Sequence, residues 1–193
     1  ITCSDSLKHP PKFQADVVLT NPPFGVKGSV TYTQDQKGNR SEDSLTIVRA
    51  DFWVQTANKQ LNFLQHIVAQ LKPGGRAAVV VPDNVLYEGG AGAVIRRGLL
   101  EECRLHTLLR LPAGLFYAQG VKANVLFFDR RRAQDKLLPT EYLWIYELRT
   151  TKRYSLKTKP LLREDLDEFL SLYRSDAVRN GANSELTPSG AAS

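Results

Sequence analysis

The chain has 193 residues, 42% hydrophobic and 24% charged, with a formal net charge of +6, which suffices for one domain with its own core and is ordinary for a globular protein. No apolar run is long enough to span a bilayer and no secretory signal opens the chain, while two cysteines, Cys3 and Cys103, supply neither a disulfide framework nor a metal-ligand set, so a cytoplasmic setting is expected. With no methionine and isoleucine at position 1, the sequence is expected to be part of a longer polypeptide.

Taken in chain order, residues 1–7 read as the end of a strand running into a loop, and Asp5 among serines suits a turn or a helix cap. Residues 16–20 read as a buried strand that stops at Asn21-Pro22-Pro23-Phe24. A residue before proline is pushed toward extended geometry, and proline has no N–H to donate, so this is a stiff corner with bare carbonyls. At the carboxyl end of a parallel strand, where open α/β sheets bind ligands, the corner holds the Asn21 amide beside the Pro22 carbonyl. Two such acceptors can take both hydrogens of an exocyclic amino group and turn its nitrogen toward tetrahedral geometry. The freed lone pair can then attack a methyl group in line. Phe24 offers a flat apolar face to a base taken out of its stack. Turn chemistry explains Asn and Pro but not a doubled proline followed by an aromatic.

Residues 33–44 are polar and aperiodic and read as a loop. The strongest helical pattern spans 51–71, with Trp53, Ala57, Leu61, Leu64, Ile67 or Val68 and Leu71 at helical spacing, and Lys72-Pro73-Gly74-Gly75 is expected to stop it. The apolar run 76–81 reads as a parallel strand covered on both faces, making 16–81 one strand, helix, strand unit. The glycine-rich stretch 88–93 fits neither the dinucleotide fingerprint nor the P-loop, so it is expected to turn the chain into a helix over about 93–102. Residues 105–111 and 123–128 read as an antiparallel strand pair, 142–148 as a further strand and 163–173 as an amphipathic helix. The expected division is a catalytic part over 1–139, an extension over 140–175 packed on it, and a flexible tail over 176–193.

The corner, together with residues 71–82 (LKPGGRAAVVVP), 95–100 (IRRGLL), 111–117 (LPAGLFY) and 120–128 (GVKANVLFF), resembles in order and spacing the modification subunit of type I restriction-modification systems. That family is an S-adenosylmethionine-dependent DNA adenine methyltransferase, and the resemblance covers residues 1–173. It implies an α/β, Rossmann-like class I methyltransferase sheet, mostly parallel with an antiparallel closing hairpin at its edge. The sheet is expected to be incomplete at the N-terminus, because the family places its glycine-rich cofactor loop before the stretch where this sequence begins. The resemblance further implies S-adenosyl-L-methionine as methyl donor without a metal. The partners it implies are DNA, a specificity subunit, a restriction subunit and a second modification subunit. By the same resemblance Asn21 and Pro22 bind the target amino group, and Pro23 and Phe24 complete the motif. Phe116 stacks on the base with Tyr117 as the alternative, Lys122 approaches a phosphate, and Asp5 lies beside the adenine ring of the cofactor.

Basic clusters at Arg130-Arg131-Arg132, Lys152-Arg153 and 157–159 favour nucleic acid without specifying its sequence. Arg130 to Arg132 read either as phosphate contacts or as a strand-end loop. His9, His66 and His106 are scattered, and no zinc spacing occurs. Two other functions share these features: methylation of RNA guanine or of a protein glutamine, and a non-catalytic fragment that binds or scaffolds DNA.

Overall fold

The computed structural model describes residues 5–25, 46–116, 121–133, 140–155 and 157–174, and the backbone of 30–34 and 40–44. The first apolar run forms strand β1 (Ala15–Thr20). It pairs in parallel with one neighbour only and lies at the sheet edge. Val17 is 47% and Leu19 76% exposed, which corrects the expectation of a buried strand. The side chains are those of a core strand, but among the described residues nothing covers their outer face.

The polar stretch expected to be a loop contains an antiparallel ribbon of β2 (Val30–Gln34) and β3 (Arg40–Ser44), paired from Val30↔Ser44 to Gln34↔Arg40. Val30, Thr31, Tyr32 and Thr33 are β-branched or aromatic and favour extended backbone. Their polarity hid a preference that a hydrophobic period does not report.

Helix α1 (Lys59–Gln70) starts later than its periodicity suggests. The Asn58 side chain accepts hydrogen bonds from the amides of Gln60 and Leu61, and such a cap fixes a helix start more firmly than apolar spacing does. Trp53 therefore lies ahead of the helix. Its indole rests on Gly98, where an added Cβ would come 2.4 Å from the ring. At its other end α1 passes at Leu71 directly into β4 (Leu71–Pro82). The expected stop residues 72–75 instead interrupt the pairing within β4, whose partners step from Ala15↔Leu71 to Val17↔Arg76, with Gly74 at φ +83°.

A short helix α2 (Asn84–Tyr87) and α3 (Ala91–Glu102) lead to β5 (Cys103–Arg110), β6 (Ala123–Arg130) and β7 (Trp144–Glu147). A 3-10 turn (Arg163–Leu166) then enters α4 (Asp167–Tyr173). The sheet order is β1-β4-β6-β5-β7. Four strands point the same way and β6 alone runs against its neighbours. The β5–β6 hairpin is thus antiparallel as expected but does not form the edge. Strand β7 pairs in parallel outside β5, from Thr107↔Trp144 to Arg110↔Glu147.

Helices α1 and α3 bury Leu61, Leu64, Ile95 and Leu99 against Val79, Val81, Leu126 and Phe128 of the central strands. The opposite face carries Leu109, Leu148 and Phe169, with Phe127 and Trp144 packed against them. The rings of Trp144 and Phe169 stack at 5.7 Å. Cys103 is fully buried, and burial pushes its thiol up to about 12; it packs, as the sequence suggests, whereas Cys3 lies outside the described residues.

Arg130 turns inward and supports the fold. Its Nη1 donates to the carbonyls of Val68 at 3.1 Å and Leu71 at 2.5 Å at the end of α1, where Val68 O also accepts from the Leu71 amide. Arg131 likewise donates to the Glu101 carbonyl at the end of α3. Replacing Arg130 by alanine is expected to cost about 1.5–3 kcal/mol, the range for hydrogen bonds to a charged group, measured by denaturant unfolding. The salt dependence of DNA binding should stay as in the parent.

Candidate active site

The corner sits where the chain leaves the carboxyl end of β1. Asn21 and Pro23 are exposed, and Pro22 and Phe24 half-buried. Among the described residues the Asn21 side chain has no hydrogen-bond partner, so its carbonyl and amide face solvent and stay available. Behind the corner, Pro22, Pro23 and Phe24 close a space with Gln60 and Leu64 of α1 and residues 79–82 of β4. That space holds about 10 Å³, room for one water at most. The corner is therefore backed by packed protein, and a nucleobase must approach from its open side.

Gln60, 8% exposed, is the one polar side chain in this lining, and a network that sequence reading missed holds it. Asn84 Nδ2 donates to Gln60 Oε1 at 2.9 Å and to Glu88 at 3.2 Å, and Asn58 Nδ2 donates to both Glu88 oxygens at 3.1–3.2 Å. Residues 84–88 thus tie the end of β4 to the capped start of α1, directly beneath the corner. In the sequence this network shows only as the amide side chains of Asn58, Gln60 and Asn84 ahead of Glu88.

Two of the aromatics expected from the sequence meet. The rings of Phe24 and Phe116 lie 5.2 Å apart at 58°, a tilted pair. A base stacked on both would need about 3.5 Å on each side, so it flanks the pair unless one ring swings aside. Phe116 lies in the connection that leaves β5 at Leu111, and Gly114 supports it with φ +91°. A Cβ there would come 2.5 Å from the carbonyl oxygen of Tyr154, in the segment after β7. The segment after β7 therefore packs closely against Gly114. Tyr117 lies outside the described residues.

The other expected site residues stand apart from this pair. Lys122 is exposed and lines a separate pocket of about 280 Å³ beside the same loop. Asp5 is exposed, and its Oδ1 accepts from the Leu7 amide at 3.0 Å, the turn its sequence suggests. This turn is anchored from inside the protein. Arg49 Nη1 donates to the Leu7 carbonyl at 3.5 Å and to His66 Nδ1 on α1 at 2.8 Å, while its other nitrogens hold Asp51 at 2.9 and 2.5 Å. The Arg49 side chain is 1% exposed and covers the Phe52 ring at 4.1 Å.

Burial, reinforced by the Arg49 charge, holds the His66 imidazole below its ordinary pKa of 6.5. The unfolded chain therefore takes up a proton from about pH 6.5 downward before the folded protein does, and this contribution to stability, complete above that pH, is lost on acidification. The melting temperature should fall between pH 7 and 5, and His66→Asn, which keeps an acceptor for Arg49 but does not titrate, should flatten that fall. An equal slope in both proteins contradicts the assignment.

With this geometry in place, the family model described as N-6 DNA Methylase matches residues 1–187. The chain belongs to the N-6 DNA methylase family. A curated relative, the type I restriction enzyme StySPI methylase subunit of Salmonella potsdam, is 47% identical over 167 residues, 84% of this chain and 28% of its own length. The solved structure of the type I restriction enzyme EcoKI M protein is 44% identical with a TM-score of 0.66, covering 83% of this chain and 31% of that one. A Listeria monocytogenes structure described as a class I S-adenosylmethionine-dependent methyltransferase is 16% identical with a TM-score of 0.51, covering 90% and 45%, and this likeness concerns the fold. This methylase-family chain therefore has the class I methyltransferase fold expected from its sequence, and it spans less than a third of the StySPI and EcoKI subunits. Among the described residues no group of three potential metal ligands occurs.

Proposed function

We propose that this chain forms the target-base part of a modification subunit of a type I restriction-modification complex, transferring a methyl group from S-adenosyl-L-methionine to the 6-amino group of adenine in DNA. The observation that carries this reading is the exposed Asn21-Pro22-Pro23-Phe24 corner at the carboxyl end of β1, with Phe24 against Phe116. Asn21 Oδ1 and the Pro22 carbonyl each accept one hydrogen of the amino group. The nitrogen lone pair is then released from the ring and points away from the two acceptors. Phe24 and Phe116 hold the extruded base by its face, a contact worth about 1–3 kcal/mol per base. Once methylated, the nitrogen is a strong acid and gives its surplus proton to water. No residue need act as a strong base.

S-adenosyl-L-methionine, when bound, supplies a methyl group already activated on a sulfonium. The Asp5 turn fits a contact to that group. Its carboxylate is exposed, one oxygen is occupied by the Leu7 amide, the other is left to a ligand donor, and Arg49 fixes the backbone behind it. Residues from 140 onward serve as an extension that braces the Phe116 loop. The reaction takes place on DNA in the cytoplasm, in a complex with specificity, restriction and second modification subunits. No helix among the described residues is long and apolar enough to cross a membrane.

The test is transfer of labelled methyl groups by the assembled complex to DNA, RNA and protein offered in parallel, followed by nucleoside analysis. Label is expected in DNA as N6-methyladenine. Label in RNA guanine or protein glutamine, or none in DNA, contradicts the proposal.

A further inference from the structure

The pocket that holds Lys122 is not part of the corner, yet it opens at the same carboxyl edge of the sheet. Asp83 after β4, Arg110 at the end of β5, Lys122 before β6 and Arg149 after β7 all line it. Residues 111–113 form another wall and continue toward Phe116. The pocket is built rather than incidental. Asn124, 1% exposed, donates to Asp83 Oδ1 at 2.7 Å, and the Asp83 amide donates to the Lys122 carbonyl at 3.1 Å.

Its charges do not cancel. Asp83 faces Arg110 at 3.8 Å, Glu147 pairs with Arg149 at 2.8 Å, and Lys122 has no ion pair among the described residues. The hydrogen bond from Arg149, followed by the charges of Arg149, Arg110 and Lys122, keeps the Glu147 carboxyl below its ordinary range. Asn124 Oδ1, buried beneath the pocket that Asn124 helps to line, lacks a donor among the described residues. The pocket gathers three cations and two carboxylates around about 280 Å³, an excess of one positive charge carried by Lys122.

On the reading of the corner given above, a DNA strand must run along this edge. We propose that the Arg110, Lys122 and Arg149 pocket binds one backbone phosphodiester close to the target adenine, and that this contact braces the Phe116 loop from the side opposite the base. A phosphate has the single charge and the acceptor oxygens that three converging donors match. Its position couples two events. Residues 111–113 lie between the phosphate and Phe116, while Arg149 and Thr150 lead to Tyr154, whose carbonyl abuts Gly114. A strand seated in the pocket therefore holds the base-stacking loop in place.

The experiment uses the assembled full-length complex and duplexes in which one phosphate at a time, on either strand around the target adenine, is replaced by an uncharged methylphosphonate. In the parent one position is expected to weaken binding about tenfold. In the double variant Lys122→Ala, Arg149→Ala the same replacement should cost less than twofold. The slope of log K against log salt should shallow by about 0.9, the value for a single phosphate no longer neutralised. Both side chains are exposed, so an unchanged melting temperature is expected and certifies the fold. If a folded variant keeps the parent's salt slope, or if every replacement weakens its binding as much as the parent's, the pocket is not a phosphate site. Should the parent complex fail to methylate DNA at all, the function on which this rests falls instead.

Discussion

Replacing Asn21 by alanine is expected to lower methyl transfer by about 10²–10³-fold, the loss measured when one preorganised hydrogen-bond partner of a transition state is removed. The side chain is exposed and makes no hydrogen bond among the described residues, so the fold has little to lose. The melting temperature should stay within about 1–2 °C of the parent, since surface substitutions cost within about 0.5 kcal/mol. The carboxamide acts through the amino group only while the nitrogen changes geometry, and the loss should therefore fall on kcat more than on KM for DNA. Aspartate at this position keeps an acceptor and should retain part of the rate. Single-turnover transfer of labelled methyl groups decides the matter: a folded Asn21→Ala protein at full rate removes the corner from the mechanism.

The second large effect is expected from Gly114→Ala. An alanine at φ +91° is strained by about 1–3 kcal/mol, and its Cβ would press on the Tyr154 carbonyl at 2.5 Å, where backbone rather than a flexible side chain must yield. The loop has to move, and Phe116 moves with it. Removing base stacking worth about 1–3 kcal/mol corresponds to roughly 5- to 150-fold in DNA affinity or rate. Phe116→Ala should reproduce the activity loss without the loss of stability. If Gly114→Ala melts and methylates like the parent, the extension is not a brace for the aromatic loop.

The pH dependence through His66 and the structural role of Arg130 are smaller effects with a shared lesson. Both residues were visible in the sequence as titratable or basic groups, and their partners were not. Arg130 reads either as a phosphate contact or as part of a strand-end loop, because charge clusters are surface features by default. In the fold β6 brings it to the end of α1, where it donates to the Val68 and Leu71 carbonyls. His66 reads as a scattered histidine until Arg49 is placed against it.

By itself the sequence determined the parts whose cause is local. The proline pair stiffens the corner whatever surrounds it, the apolar runs form strands and helices, and Asn21, Pro22 and Phe24 are neighbours along the chain. Only the tertiary structure decided the rest. The run expected to be a buried strand lies exposed at an edge, because its cover depends on chain elsewhere and not on its own side chains. The Phe24–Phe116 pair, the Gly114–Tyr154 contact and the convergence of Arg110, Lys122 and Arg149 join residues far apart in sequence. Such contacts are set by strand order and by the insertion of β6 between β4 and β5. Hydrophobic periodicity records which face of an element is buried but carries no information on which elements meet.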